Sequence, residues 1–276
     1  MRLIRRSLVP LAALLGIVLV APPPAAADAG PPPSSIASMG DSITRAFNAC
    51  GWFVDCPSRS YSTGDYSSVN THYSRILRVN PLIQGRSYNH GQSGARVDDM
   101  PGQAQGVVGR NAEYVTILIG ANDACTSTEA GMTPVSTFRA HFDTALATLK
   151  SGLPNARILV VSIPNVHRLW EVGRVSFSAV STWSLFGICQ SLLANPNSFA
   201  QADIDRRNRV RQRVADFNAQ MAQACVAYGT NCRFDNNAVF NYPFVLSQVS
   251  GWDYFHPNTA GQAILASVSY ANGYNW

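Results

Sequence analysis

The sequence predicts an α/β protein with a central parallel β-sheet, and two features indicate this fold class. Residues 114–119 and 157–163 form apolar runs without alternation of apolar and polar side chains, a pattern typical of strands that are covered on both faces. Between such runs lie segments with apolar residues at steps of three and four, the spacing of a helix that packs one face against a sheet. Strands that alternate with helices in this way pair in parallel.

Five strands are predicted in order along the chain. Residues 35–39 form the first, Ser87–Asn89 a weaker second, and the runs at 114–119 and 157–163 the third and fourth. Cys232–Phe234 is a short candidate for the fifth. Ligands of open parallel sheets bind outside the carboxyl ends of the strands, so functional side chains are expected directly after these segments.

Three helices are predicted from their periodicity. Residues 137–150 carry apolar side chains at helical spacing, and a last helix is expected to start near Asn258. The clearest helix is residues 203–228, with apolar positions at Val210, Val214, Phe217, Met221, Cys225 and Tyr228. Its first half is rich in arginine (Arg206, Arg207, Arg209, Arg211 and Arg213). These arginines indicate either a solvent-exposed helix face or a patch that binds an anionic surface.

Residues 1–29 have the organisation of a secretory signal peptide. Three arginines among the first six residues precede an apolar run at 8–21, and small residues then allow cleavage after Ala27 or Ala29. The apolar run is short for a membrane-spanning helix, which needs roughly 20 residues. We therefore expect a secreted, extracellular protein whose mature domain is residues 30–276.

The charge balance does not favour a nucleic-acid-binding protein. The chain has a net charge of +5, to which the signal peptide contributes three arginines and one aspartate. The mature chain therefore keeps a charge of only about +3, scattered along the sequence and not clustered on one segment. No nucleic-acid partner is expected.

The six cysteines suggest disulfides, because an even number in a secreted protein is typical of a disulfide framework. None has the CxxC spacing of a zinc site. Proximity favours Cys50–Cys56 and Cys225–Cys232, which leaves Cys125 and Cys189 as the third pair, although spacing alone allows other pairings.

Four short blocks at the predicted strand ends carry the residue types of nucleophilic catalysis. Gly40-Asp41-Ser42 follows the first strand, and a block ending at Gly94 follows the second. Gly120-Ala121-Asn122-Asp123 follows the third, and Asp253-x-x-His256 precedes the last helix. A hydroxyl nucleophile needs a base and a group that orients the base, and an oxyanion needs fixed N–H donors.

Each block taken alone has a simpler interpretation. Asp41 or Ser42 could cap a helix, and Asn122 could be an ordinary turn residue. Asp253 and His256 could bind a metal, but the sequence offers no further ligands for such a site. Only the four blocks together predict a catalytic site.

In their order and spacing, these blocks resemble the SGNH (GDSL) hydrolase superfamily, with GDSI here in place of GDSL. The resemblance implies a flavodoxin-like α/β/α sandwich, distinct from the α/β-hydrolase fold, whose GxSxG motif the chain lacks. It also implies that Ser42 is the nucleophile, His256 the base and Asp253 the residue that orients His256. The oxyanion hole would combine the backbone N–H groups of Ser42 and Gly94 with the side-chain amide of Asn122. No metal and no cofactor are expected.

Further segments resemble the phospholipase B-like branch of this superfamily: residues 59–64, Asn80-Pro81 and residues 95–101. The resemblance implies a secreted esterase or lipase for acyl esters of glycerides or phospholipids, expected to be a monomer in transient contact with lipid surfaces. Two other classes stay open: a carbohydrate O-deacetylase with the same triad and a non-catalytic binding module.

Residues 166–196 are rich in large apolar side chains and poor in charge. Such an insert after a strand could form the wall of an acyl pocket or a lid over it. A pair of helices that packs into the core is an equally good interpretation.

Overall fold

The computed structural model describes residues 29–276. The proposed signal peptide lies outside these residues except for Ala29, so it stays a prediction. In the described part the strands are β1 (Ile36–Gly40), β2 (Ser87–Asn89), β3 (Tyr114–Leu118), β4 (Arg157–Val160) and β5 (Cys232–Phe234). The α-helices are α1 (His72–Val79), α2 (Met100–Val108), α3 (Ala121–Ala124), α4 (Val135–Gly152), α5 (Val166–Gly173), α6 (Phe177–Leu185), α7 (Gln190–Leu193), α8 (Gln201–Tyr228), α9 (Ala238–Asn241) and α10 (Thr259–Ala271).

The five strands form one parallel sheet in the order β2-β1-β3-β4-β5. This is the flavodoxin-like strand order, and it confirms the predicted fold class. In the register, Ile36 of β1 lies opposite Ser87 of β2 and Tyr114 of β3. Because the strand order reverses between β1 and β3, the loops after these two strands border a crevice where ligands bind in sheets of this kind.

Helices cover both faces of the sheet. On one face α2, α4 and α8 pack side by side, and Phe138 of α4 stacks on Phe217 of α8 with ring centroids 4.1 Å apart. On the other face α1 meets α10, where His72 Nε2 lies 2.8 Å from Ser269 Oγ. The residues of β1 and β3 are buried and those of the edge strands β2 and β5 are half-buried, so burial is complete where the unbroken apolar run of β3 predicts it.

The fourth strand is shorter than predicted and ends at Val160. The N–H of Ile163, which the sequence placed in the strand, donates instead to the Asn218 side chain of α8 at 2.9 Å. The Ser162 hydroxyl donates to Asp235 at 2.8 Å. The apolar run therefore continues past the strand because these residues are buried, while the N–H of Ile163 bonds to a helix side chain and not to a neighbouring strand.

The arginines of α8 are divided between contacts with neighbouring loops and the solvent-exposed face of the helix. Arg207 is buried and donates to the carbonyl oxygen of Ser198 at 2.7 Å. Arg213 donates to the carbonyl oxygen of Thr133 at 2.7 Å, and Arg209 pairs with Glu129. Arg207 and Arg213 thus hold α8 against neighbouring loops, while Arg209 and Arg211 lie on the solvent-exposed face that the sequence predicts.

The six cysteines form the disulfides Cys50–Cys56, Cys125–Cys189 and Cys225–Cys232. These are the pairs favoured by proximity in the sequence. The second bond joins the loop after α3 to the turn before α7. Among residues 29–276, no helix is long and apolar enough to cross a membrane.

Candidate active site

The loop after β1 presents Ser42 at the crevice. Gly40 ends the strand, and Gln103 of α2 accepts its N–H at 2.7 Å and donates to its carbonyl oxygen at 2.9 Å. A side chain at Gly40 would collide with the carbonyl oxygen of Leu118 and the hydroxyl of Thr44. Residues 42–48 form turns and no helix, so the N-cap interpretation of this stretch does not apply. The glycine and its clamp fix where Ser42 leaves the sheet.

Ser42, His256 and Asp253 form a continuous chain of hydrogen bonds. Ser42 Oγ lies 2.7 Å from His256 Nε2, and His256 Nδ1 lies 2.6 Å from Asp253 Oδ2. A carboxylate can only accept, so Nδ1 carries the proton and Nε2 is left to accept from the Ser42 hydroxyl. This arrangement allows the imidazole to take the proton of a hydroxyl that attacks an electrophile.

The Asp253 carboxylate is almost completely buried, and its acceptor sites are all occupied. Oδ2 also accepts from Asn48 Nδ2 at 2.6 Å, while Oδ1 accepts the backbone N–H groups of Phe255 and His256 at 2.9 and 3.0 Å. Burial alone would raise the pKa of Asp253, but the hydrogen bond and charge of His256, together with the backbone donors, hold that pKa below its ordinary value. Asp253 therefore carries its negative charge beside the imidazole.

The backbone of the Asp253 loop is closed on itself. Ser250 N–H donates to the carbonyl oxygen of His256 at 2.8 Å, and Tyr254 N–H donates to that of Ser250 at 2.9 Å. Tyr254 has a φ of 52°, in the left-handed region that non-glycine residues adopt uncommonly. The resulting turn points the N–H groups of Phe255 and His256 back at the Asp253 carboxylate.

Gly94 and Asn122 lie next to each other on the β2 and β3 sides of the crevice. Asn122 Nδ2 donates to the carbonyl oxygen of Ala95 at 2.8 Å, which leaves one N–H of the amide for another acceptor. Gly94 has a φ of 86°, a conformation that glycine adopts without strain. The N–H of Gln92 donates to the carbonyl oxygen of Gly40 at 3.0 Å and ties this loop to the one that carries Ser42.

Two further buried carboxylates border the site. Asp41 accepts the N–H of Ile43 through Oδ1 at 2.9 Å, and its Oδ2 has no hydrogen-bond partner among residues 29–276. Burial outweighs that N–H and raises the pKa of Asp41 to about 7. Asp123 accepts the N–H of Val97 at 3.1 Å, and burial raises its pKa as well.

An apolar pocket opens beside the Ser42–His256 hydrogen bond. It contains about 640 Å³ of space, including its open mouth. Its lining begins next to Ser42 and Asn122 and continues into α5 and the segments around the Asp253 loop: Ile43, Ala121, Pro164, Asn165, Val166, Leu169, Val172, Phe244, Gln248, Val249, Phe255, His256 and Pro257. Since ten of these thirteen residues are apolar, the pocket is suited to a hydrocarbon group.

The insert at 166–196 contributes to both the pocket and the core. Val166, Leu169 and Val172 of α5 line the pocket. Trp183 of α6 is buried and donates its indole N–H to the carbonyl oxygen of Tyr254 at 2.9 Å. The insert is therefore a wall of the pocket as well as a packed helical layer.

Between residues 29 and 276, no group of three or more His, Cys, Asp or Glu side chains lies close enough together to hold a metal ion. Asp253 and His256 contact Ser42 and Asn48.

Sequence reasoning missed Asn48 and Gln103. Asn48 holds Asp253 from 205 positions away, and Gln103 holds Gly40 from 63 positions away. Neither lies in a recognisable motif. A weak signal for Asn48 is its place between the Ser42 block and Cys50, in a loop that a short disulfide would fix.

Comparisons with known proteins concern the family and the fold. The family model for GDSL-like lipase/acylhydrolase matches residues 36–268. Membrane-associated phospholipase B1 from Homo sapiens is 30% identical over 165 residues, 49% of this chain and 11% of that protein. The Rattus norvegicus protein of the same name is 27% identical over 213 residues, 64% of this chain and 15% of that protein. The chain thus spans only a small part of these curated relatives.

Solved structures share the fold. An acetylxylan esterase from Geobacillus stearothermophilus aligns with a TM-score of 0.53 at 17% identity, over 90% of this chain and 96% of that one. A protein from Parabacteroides merdae described as a GDSL-like lipase aligns with a TM-score of 0.51 at 17% identity, over 89% and 98% of the two chains. At this identity the likeness concerns the fold alone. The match along residues 36–268 decides the family: this chain belongs to the GDSL-like lipase/acylhydrolases.

Proposed function

We propose that the protein is a secreted esterase of acyl glycerides or phospholipids that uses Ser42, His256 and Asp253 as a catalytic triad. The observation that carries this proposal is the hydrogen-bonded chain of these three side chains at the edge of an apolar pocket. Residues 30–276 are the catalytic domain. The enzyme works as a monomer and without a metal or another cofactor.

In the first half of the reaction, Ser42 Oγ attacks the ester carbonyl carbon while His256 Nε2 takes the hydroxyl proton. The C–O bond to the alcohol then breaks, and His256 gives its proton to the departing alkoxide. The acyl group stays on Ser42 as an ester. Asp253 remains ionised and stabilises the imidazolium through the 2.6 Å contact with Nδ1.

In the second half, water attacks the acyl-enzyme carbonyl carbon and His256 accepts its proton. The bond to Ser42 Oγ breaks, the proton returns to that oxygen, and the carboxylic acid leaves. The negative oxygen of both tetrahedral intermediates is stabilised by the N–H groups of Ser42 and Gly94 and by the free N–H of the Asn122 amide. The hydrogen bond from Asn122 to Ala95 keeps that amide in place.

The apolar pocket supports an acyl chain longer than acetyl as the preferred substrate. Ile43 and Ala121 place its entrance beside the reacting groups, and Leu169 and Phe244 extend it with apolar surface. The similarity to phospholipase B1 relatives supports glycerides or phospholipids within this class. Acetyl esters of a polysaccharide would leave most of the pocket unfilled.

The test is a rate series on p-nitrophenyl esters from acetate to palmitate, with phosphatidylcholine and acetylated xylan alongside. The wild-type protein is compared with Leu169→Trp, which fills the pocket, and with Val226→Trp, which adds the same side chain at an exposed position on α8. We expect kcat/KM to rise with chain length in the wild type and in Val226→Trp. Leu169→Trp should keep activity on acetate and lose it on longer chains.

A wild-type preference for acetate and acetylated xylan would overturn the lipid proposal in favour of a carbohydrate deacetylase. Equal losses on acetate and long chains in Leu169→Trp, with an unchanged thermal unfolding midpoint, would show that the pocket does not hold the acyl chain. Binding without turnover of any ester would favour a non-catalytic module.

A further inference from the structure

Three aromatic side chains stand exposed around the candidate active site. Trp52 and Phe53 are 57% and 61% exposed, and Trp252 is 54% exposed. Trp52 and Phe53 lie in the loop closed by Cys50–Cys56, and Trp252 directly precedes Asp253. We call these three residues the aromatic rim. Large apolar side chains in a soluble domain are usually covered, so a cluster of them next to a pocket marks an interaction surface.

Contacts between aromatic rings connect the rim to His256. The rings of Trp52 and Phe53 lie 5.0 Å apart, those of Phe53 and Phe47 5.9 Å, and those of Phe47 and His256 5.1 Å. Because these rings form one contiguous row from solvent to the imidazole, the rim is held in a fixed position relative to the Ser42–His256 pair.

The loop of Trp252 is fixed to the loop of Trp52 by hydrogen bonds. The hydroxyl of Ser250 donates to the carbonyl oxygen of Asn48 at 2.9 Å, and Asn48 donates to Asp253 at 2.6 Å. The two parts of the rim therefore belong to one rigid region, built from segments about 200 residues apart in the sequence.

Helix α6 adds apolar surface next to the same loop. It packs against that loop through the hydrogen bond from Trp183 to the carbonyl oxygen of Tyr254. At the end of this helix, Leu185 and Phe186 are 78% and 51% exposed. The apolar surface near the site is thus larger than the rim alone.

The segments that form this surface carry no charged side chain. Residues 46–54, 175–202 and 236–252 contain no Asp, Glu, Lys, Arg or His. The nearest charge along the first segment, Asp55, is paired with Arg45 at 3.0 Å. Anionic membranes attract proteins through clustered Lys and Arg near the contact. A surface without such a cluster complements an electrically neutral interface.

We propose that the aromatic rim, with Leu185 and Phe186, docks the enzyme on a neutral phospholipid surface such as phosphatidylcholine. Tryptophan rings favour the membrane–water interface because they combine a large apolar body with one polar N–H. Docking would present the mouth of the acyl pocket to the lipid. A polysaccharide is the weaker candidate, since Leu185 and Phe186 extend the exposed surface with apolar groups that cannot hydrogen-bond to sugar hydroxyls.

This inference rests on the proposed function, because docking on lipid serves an enzyme that hydrolyses lipid esters. Binding is nevertheless measured on a variant that lacks the nucleophile, so the test does not depend on catalysis. In the Ser42→Ala background, co-sedimentation is measured with vesicles of phosphatidylcholine and of phosphatidylcholine with phosphatidylglycerol, and with insoluble xylan. Trp52→Gln/Trp252→Gln is compared with Leu82→Gln/Val226→Gln, which alters apolar residues of 74% and 83% exposure away from the rim.

The rim variant should bind phosphatidylcholine vesicles at least tenfold more weakly than the control variant. With Ser42 intact, both variants should hydrolyse soluble p-nitrophenyl butyrate at the same kcat/KM, and only the rim variant should be slow on dispersed phosphatidylcholine.

Three outcomes would overturn the docking proposal. The protein does not bind phosphatidylcholine vesicles, the two variants bind them equally, or the protein binds only vesicles that contain phosphatidylglycerol or only xylan. Failure of the proposed function has a different signature. In that case the intact enzyme hydrolyses neither ester, whatever the Ser42→Ala protein binds.

Discussion

Replacing Asn48 by glycine should lower kcat for ester hydrolysis by about 10- to 150-fold and leave KM for a short soluble ester nearly unchanged. Asn48 contacts no part of the proposed substrate site, so it acts as a positioning residue through Asp253. Its amide shares Asp253 Oδ2 with His256 Nδ1, and each lies 2.6 Å from that oxygen. Removing the amide leaves Asp253 freer to turn away from the imidazole.

The magnitude follows from the kind of hydrogen bond that is lost. Hydrogen bonds to a charged group contribute about 1.5–3 kcal/mol, and about 1.4 kcal/mol corresponds to a factor of ten in rate. The full amount affects kcat only if Asp253 must stay in place while the imidazolium forms. Glycine is chosen because Asn48 has a φ of 60°, so alanine would add backbone strain to the loss of the amide.

The assay is steady-state kinetics on p-nitrophenyl acetate, with thermal unfolding of each variant. Asn111→Gly is the matched control, because Asn111 also has a positive φ, of 50°, but lies before β3 at the opposite edge of the sheet. Asn48→Gly should lose more stability than Asn111→Gly, because the buried Asn48 side chain donates to Asp253 and accepts the N–H of Phe53. Only Asn48→Gly should lose kcat. If Asn48→Gly is less stable yet keeps wild-type kcat, Asn48 is structural and the positioning role is wrong.

Four further predictions concern single residues. Ser42→Ala should abolish nearly all hydrolysis while the fold survives, and more than about a hundredth of the wild-type rate would exclude Ser42 as the nucleophile. Asn122→Ala should lower kcat by roughly 10²–10³ with little change in KM, as expected for an oxyanion donor; an unchanged kcat would make Asn122 structural. Burial, and secondarily the charge of Arg75, lowers the pKa of His72 to about 3, so its contribution to stability is complete above about pH 6.5 and is lost as the pH falls toward 3. The gap in free energy of unfolding between wild type and His72→Gln should therefore shrink by up to about 1.4 kcal/mol per pH unit between pH 6 and 4, as measured by urea unfolding; a constant gap would contradict a buried neutral His72. Burial raises the pKa of Asp41 to about 7, so its ionisation weighs against the folded state increasingly from about pH 4 to 7. Asp41→Asn should accordingly gain stability relative to the wild type over that range, and a parallel pH dependence of the two proteins would show that Asp41 is ionised without cost.

The sheet could be predicted because its strands are defined locally. Uninterrupted apolar runs marked β3 and β4, and glycine marked the end of β1. The end of β4 could not be predicted, because it depends on Asn218 of the distant α8 accepting the N–H of Ile163. An apolar run shows that a segment is buried, but it does not show where its backbone hydrogen bonds go.

The candidate triad was identifiable for a similar reason. Ser42, Asp253 and His256 lie in short blocks whose order is itself a signal. Asn48 and Gln103 look like ordinary polar residues of a turn and a helix, and only the folded chain brings them to their partners. The contacts of Arg207 and Arg213 in α8 could not be predicted, because their partners are carbonyl oxygens distant in the sequence.

The two buried aspartates next to the site show how the fold controls where charge resides. Asp253 accepts from four donors, and its pKa is lowered despite burial. Asp41 is fully buried with a donor on only one oxygen, and its pKa is raised to about 7. If both carboxylates were fully ionised, both would attract the imidazole, and Asp253 alone would not set its orientation. With the donors concentrated on Asp253, the negative charge is held on the Nδ1 side of His256, and Nε2 remains directed at Ser42.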